Sequence, residues 1–166
     1  MHQYIKSTTE DISSEIILKL AKDIASGMNM VHSNGIVHRD LKSSNILLEE
    51  ENNKLSAVIC DFGLARISSE SNVIFLFSFF LFFSLFFSNN LIFKKKKLLN
   101  QKIIDLKGFS PRYTAPEVFG RMMTNVTVVS VEDEMKGDVY SYAVIIWELM
   151  TRKIPWAHCK LFFLSN

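Results

Sequence analysis

The sequence predicts a mainly α chain with one short β-hairpin, on three observations. Ile16, Ile17, Leu20, Ile24, Met28 and Val31 recur at helical spacing. Val139, Ala143, Ile146 and Met150 form a second stripe, widened nearly all round by Val144, Ile145, Trp147 and Leu149. Between them, the apolar runs Ile46–Leu48 and Leu55–Cys60 flank a charged stretch, Glu49–Lys54, and read as strand, turn and strand. The 166 residues leave room for one domain with a real core.

Taken in order, residues 4–11 are polar. Asp11 or Ser13 can cap the first helix, with Glu15 early in its first turn. Its apolar stripe reads as a core face, and Lys19, Lys22 and Asp23 fall mainly on the opposite one. Asn34-Gly35 ends it, glycine suiting the left-handed cap. His32 reads as a helix-end residue rather than a metal ligand. Gly35–Val37 and Ile46–Leu48 read as short buried strands, which puts Asp40, Lys42 and Asn45 on the loop between them. A loop held at both ends can aim these side chains at one point. Asp40 could accept a proton from a hydroxyl, Lys42 could neutralise a phosphate, and Asn45 could give an oxygen to a metal ion.

The stretch Val37-His38-Arg39-Asp40-Leu41-Lys42-Ser43-Ser44-Asn45 resembles the catalytic loop of protein kinases, H-R-D-L-x-x-x-N. Asp61-Phe62-Gly63 and Ala115-Pro116-Glu117 follow in the order of that family's D-F-G and A-P-E. The resemblance covers residues 4–71 and 106–160. It implies a partial protein-kinase-like fold, the C-terminal (large) lobe only, incomplete at both ends of 1–166. It further implies transfer of the ATP γ-phosphoryl group to a protein hydroxyl. Asp40 would orient and deprotonate that hydroxyl, Lys42 would steady the phosphoryl group, and Asn45 and Asp61 would hold Mg2+. The hairpin places Asn45 before one strand and Asp61 just past the other, as two oxygen ligands of one ion require. Lys42 fits a serine/threonine kinase, and Arg112-Tyr113 resembles the tyrosine-kinase-like group of these enzymes. Arg39 could pair with a phosphorylated activation-segment residue. Cys60 reads as a small buried hydrophobe, and Arg66 as solvated.

The pattern breaks in the middle. Ser71 to Phe93 is 23 residues without a charge, and nine of the 14 phenylalanines lie between Phe75 and Phe93. Lys94–Lys97 follows directly. Residues 72–105 thus form an insertion in the activation segment, open to three readings. Residues 73–93 are near the length of a membrane span, with lysines suited to its cytoplasmic side. A single span would part Asp61 from Glu117 across the bilayer, which excludes a working kinase. An apolar loop would expose a large aggregation-prone patch. The crowding of Phe, Lys, Asn, Ile and Leu also fits translation through an AT-rich intron, and Leu161–Asn166 has the same composition.

Beyond the insertion, Ser110 stands where the family carries a threonine that bonds the catalytic aspartate and lysine. Residues 121–136 read as a polar connector. Lys136–Ser141 then begins the second long helix, and a helix apolar on most faces should be buried. The resemblance gives Asp138 hydrogen bonds to the catalytic-loop backbone; it also reads as an ordinary N-cap. Thr151–Trp156 reads as the turn after that helix. The family's A-P-E glutamate, here Glu117, is a buried carboxylate paired with a later arginine.

Composition and absences bound the function. The six glycines include no G-x-G-x-x-G, and no V-A-I-K precedes the first helix, so the ATP-binding small lobe is missing from 1–166. That predicts an inactive fragment, whose rivals are a non-catalytic membrane-anchored piece and a gene-model product. A net charge of +2 without a basic helix face argues against nucleic acid. Cys60 and Cys159 lie far apart, and Met1-His2-Gln3-Tyr4 opens no signal peptide. Both fit a cytoplasmic protein, the alternative being the membrane. The protein substrate is not legible.

Overall fold

A computed structural model describes residues 1–7, 11–68, 110–124 and 129–158. The insertion 72–105, with its membrane-length stretch 73–93, and Cys159 lie outside the described residues. Among the described residues no helix is long and apolar enough to cross a membrane.

The long helix α2 (Ser14–Ser33) follows a short helix α1 (His2–Ser7). Ser13 is the cap of α2, its side chain accepting from the backbone N–H of Ile16 at 3.3 Å. Gly35 ends the helix region with φ 66°, a left-handed value that costs glycine little. The predicted stripe is the packed face: Leu20, Ile24, Met28 and Val31 are buried, and Ile16 and Ile17 pack partly against them. Helix α1 replaces the expected polar lead-in. Its Ile5 is buried in the same cluster, so tertiary packing, not local polarity, sets this turn.

Strand β1 (Ile36–Val37) pairs antiparallel with β4 (Arg66–Ile67), and β2 (Ile46–Glu51) with β3 (Lys54–Ile59). The hairpin turn is tighter than the charged stretch suggested. Its strands run to Glu51 and from Lys54, leaving only Asn52 and Asn53, with φ 50° and 61°. Two asparagines in left-handed geometry match the right-handed twist of the strands they join. Helix α2 lies on β3, and Gly27 permits the approach: a β-carbon there would meet Ile59 Cδ1 at 3.0 Å. Asp23 adds a polar tie, accepting from the N–H of Ala57 at 3.1 Å and from Lys19 at 2.7 Å.

A 3₁₀ turn at Pro111–Tyr113 leads to α3 (Pro116–Thr124), and α4 (Val131–Thr151) follows. Thus α3 occupies part of the expected connector. Helix α4 also starts five residues ahead of Lys136, capped by Ser130 through the N–H of Asp133 at 3.0 Å. Gly137 and Asp138 therefore lie inside the helix, and Asp138 is not its N-cap. Helix α4 is not buried all round either. Val144, Ile145 and Leu149 are buried, whereas Val139, Trp147 and Met150 are 59%, 43% and 64% exposed. Its packed face carries polar groups as well, Asp138, Ser141 and Glu148, each with hydrogen bonds to the loops it supports. Arg152 caps the end at φ 57°, and Trp156 beyond it donates to the Arg112 carbonyl at 3.1 Å.

Candidate active site

The loop between β1 and β2 is held from three sides. Leu41 sits in the apolar core. From α4, Asp138 accepts from the N–H of His38 at 2.8 Å and of Arg39 at 2.9 Å, one oxygen each. His32 at the end of α2 donates through Nε2 to Asp138 Oδ2 at 2.9 Å. These bonds fix Arg39 at φ 67°, a region unfavourable for a residue with a β-carbon and stable only where its surroundings impose it.

His38 is fully buried and joins the loop to the segment after β3. Its Nε2 donates to the Cys60 carbonyl at 3.1 Å, which leaves Nδ1 to accept from the N–H of Asp40 at 3.3 Å. Acceptance at Nδ1 requires the neutral ring. Burial lowers the His38 pKa, against the opposing pull of the Cys60 carbonyl and of Asp138, Asp40 and Asp61. Phe62 lies on the same ring, centroids 4.8 Å apart.

Asp40, Lys42, Asn45 and Ser110 form one cluster. Lys42 Nζ donates to Asp40 Oδ2 at 2.7 Å and to Ser110 Oγ at 2.8 Å. Asn45 Nδ2 donates to the Asp40 carbonyl at 2.8 Å and to Asp40 Oδ2 at 3.1 Å. Asp40 Oδ1 is buried and has no hydrogen-bond partner among the described residues. A buried carboxylate oxygen is stabilised by an N–H or O–H donor brought to it. Among the described residues both Asn45 hydrogen bonds use Nδ2, not Oδ1.

Asp61 follows Cys60, whose backbone is tied to this cluster. The N–H of Cys60 donates to the Asn45 carbonyl at 2.9 Å, which continues the Ile46 to Ile59 register and places the two segments side by side. The Asp61 side chain is exposed, and its Oδ1 accepts from the N–H of Gly63 at 3.3 Å. Cys60 is partly buried and its Sγ also points to the Asn45 carbonyl at 3.2 Å. Burial, and then the Asp61 charge, push its thiol pKa up, as suits an unreactive packing residue.

A second polar network lies behind the loop. Tyr113 donates to Glu148 Oε2 at 2.6 Å, and Ser43 Oγ lies 3.1 Å from the same phenol oxygen. His2 Nδ1 stands 3.2 Å from Ser43 Oγ and 3.3 Å from Glu148 Oε1. Ser141 on α4 donates to the Tyr113 carbonyl at 2.7 Å. Burial, with Glu148 as acceptor, drives the Tyr113 pKa well up, so the phenol stays protonated and keeps donating.

This arrangement has counterparts among known proteins. The protein kinase domain model matches residues 1–161. The chain belongs to the protein kinase domain family. It is 29% identical over 142 residues to serine/threonine-protein kinase STY17 of Arabidopsis thaliana, covering 86% of this chain and 18% of that protein. It is 35% identical over 152 residues to serine/threonine-protein kinase TNNI3K of Mus musculus, covering 90% and 13%. It is 32% identical over 151 residues to serine/threonine-protein kinase CTR1 of Arabidopsis thaliana, with the same coverages. The kinase chain therefore spans less than a fifth of the length of these three relatives.

Of the residues singled out in the kinase motifs, Asp40, Lys42 and Asn45 meet directly, Ser110 joins them, and Asp61 is adjacent along the backbone. Arg39 and Arg66 both pair with Glu134 on α4. Arg66 is thus half-exposed and anchored rather than simply solvated. Glu117 is exposed on α3, so its carboxylate carries no burial penalty here. No local pattern announces the Tyr113–Glu148–Ser43 network or the Glu134 pairing, whose bonded pairs lie 35 to 95 residues apart. A signal for Glu134's position did exist: Ser130 three residues before Asp133, at the spacing of a helix cap.

Proposed function

We propose that the chain carries the hydroxyl-activating half of a serine/threonine kinase site, as a large-lobe portion of that fold. The observation that carries this reading is the Asp40 carboxylate: Oδ2 is fixed by Lys42 and Asn45, while Oδ1 is buried and open. A serine or threonine hydroxyl of a protein substrate would donate to Oδ1, be aligned there, and give up its proton to it as its oxygen bonds to the γ-phosphorus of ATP and the bond from that phosphorus to the departing ADP breaks. Lys42 offers positive charge beside that oxygen, and Ser110 limits the directions its ammonium can take. The donor set fits magnesium, a hard cation that takes oxygen: Asn45 Oδ1 and the Asp61 carboxylate are the atoms that would hold it. Bound ATP and magnesium would supply the phosphoryl group and neutralise its charge.

Residues 1–166 include no glycine-rich phosphate loop and no V-A-I-K lysine, so as an isolated polypeptide they should transfer no phosphate from ATP. The test measures phosphate transfer to a generic protein substrate by residues 1–166 and by the same chain with a kinase small lobe supplied in cis. The isolated chain should be silent. The completed domain should be active, and Asp40→Asn should lower its rate about 10²–10⁴-fold. Equal activity of the completed domain and its Asp40→Asn variant would remove Asp40 from the mechanism. A second reading, a non-catalytic fragment held at a membrane rather than free in the cytoplasm, is favoured by the uncharged run from Ser71 to Phe93. Carbonate-resistant membrane association would support it. Mature transcripts lacking codons 72–105 would instead assign that run to a retained intron.

A further inference from the structure

The end of α2 carries a reactive dipeptide held in a geometry that does not react. Asn34 is followed by Gly35, which has no β-carbon to shield its amide nitrogen from the Asn34 carboxamide. Both groups are engaged elsewhere. Asn34 Nδ2 donates to the Met30 carbonyl at 2.7 Å, and the Gly35 N–H donates to the His32 carbonyl at 2.8 Å. Asn34 stands at ψ 17°, which nearly eclipses the two backbone nitrogens and turns that of Gly35 away from Asn34 Cγ. The Gly35 carbonyl is tied as well, accepting from the N–H of Ser68 at 2.9 Å. The same helix end supports the catalytic loop. The His32 ring bonds Asp138, which in turn holds the N–H groups of His38 and Arg39.

We propose that Asn34 is a deamidation site gated by the fold, closed while α2 keeps its last turn and open once that end unwinds. Water is the only co-reactant. The Gly35 nitrogen gives its proton to water and bonds to Asn34 Cγ; the Cγ–Nδ2 bond breaks, and Nδ2 takes up a proton and leaves as ammonia. Water then opens the five-membered imide at one of its two carbonyls. Addition at Cγ leaves an aspartate in an ordinary backbone. Addition at the main-chain carbonyl leaves an isoaspartyl link that runs through the side chain. Either product lacks the donor to the Met30 carbonyl and puts a negative charge at the negative end of the helix. The damage falls on the turn that carries His32, so it loosens the support of the Asp40 loop, and refolding does not reverse it.

The test incubates the full 166-residue chain at mildly alkaline pH, folded and in urea, and follows Asn34 by mass spectrometry of the tryptic peptide 23–39. The same peptide contains Asn29, which precedes Met30 and serves as an internal reference. In urea Asn34 should convert well ahead of Asn29. Gly35→Ala should slow that conversion, since a β-carbon then stands beside the attacking nitrogen, and this measurement needs no folded protein. In the folded chain Asn34 should convert about tenfold more slowly than in urea, or slower still, at a rate set by how rarely the helix end opens. Asn34→Asp, which stands for one product, should melt about 2–4 °C below the wild type. Equal Asn34 rates in the folded chain and in urea would overturn the gate. No lead of Asn34 over Asn29 in urea would overturn the site itself. An Asn34→Asp chain that melts with the wild type would overturn the coupling to the fold. None of these readings involves phosphate transfer, so the proposal stands or falls apart from the kinase reading.

Discussion

The β2–β3 turn and the catalytic loop are held in opposite ways. The β2–β3 turn is two asparagines, Asn52 and Asn53, whose own backbone preference supplies the geometry. The catalytic loop has no such local solution. Arg39 sits in a left-handed conformation it does not favour, and Asp138, a hundred residues from His38 in sequence, holds it there. The turn is cheap and self-sufficient, and it does nothing chemical. The loop is dear to hold, and it presents an open carboxylate oxygen. Chain that folds from its own propensities can be placed anywhere; chain that must aim a side chain is fixed from outside.

The sharpest way to break that contrast is Asp138→Ala. It orphans the N–H groups of His38 and Arg39 and the His32 ring, and should cost roughly 1–3 kcal/mol for each buried donor left unsatisfied, measured by urea unfolding. A loss near that of a surface substitution would mean that the loop holds itself. Tyr113→Phe should come next, at about 1–3 kcal/mol, because buried Glu148 loses its shortest donor. Double-mutant analysis with Glu148→Gln should show strong coupling between the two positions.

The third way uses pH. The unfolded His38 ring titrates near the ordinary histidine value of 6.5, and the folded ring below it, since burial favours the neutral form. Between those two values the unfolded chain binds more protons, so this contribution to stability is complete above pH 6.5 and falls as pH drops toward the folded pKa. The urea midpoint of the wild type should decline through that window more steeply than that of His38→Gln. Parallel profiles would separate His38 from the acid response. The smallest effect belongs to the turn. Asn53→Gly should change stability by only a few tenths of a kcal/mol, in contrast to about 1–2 kcal/mol for Asn53→Ala, whose β-carbon resists the left-handed region.

What the sequence disclosed follows the same division. Helix α2 and its buried stripe, the hairpin, and the cluster of Asp40, Lys42 and Asn45 are local patterns, and all could be read from spacing or motif. Helix α1 was missed because Ile5 is too little apolar residue to mark a helix until the core is there to receive it. The start of α4 was missed because Glu132, Asp133, Glu134 and Lys136 look like solvated connector, and Gly137 looks like a boundary. The exposed flank of α4 was misjudged because hydropathy reports what can be buried, not which neighbour does the burying. Glu134 as the partner of Arg39 lay beyond reach: 95 residues separate them, and only the fold brings them together.

The bridge from Asp138 to Arg39 has a further consequence for synthesis and tolerance. During translation the catalytic loop leaves the ribosome long before the residue that shapes it, so the site is among the last parts of the chain to mature. The polypeptide between them is a closed loop that contains residues 72–105. Making such a loop about one and a half times longer costs only about 0.4 kcal/mol of closure entropy, because that cost grows with the logarithm of length. If residues 72–105 are an insertion, as the sequence suggests, their main effect would be kinetic, through slower formation of a distant contact.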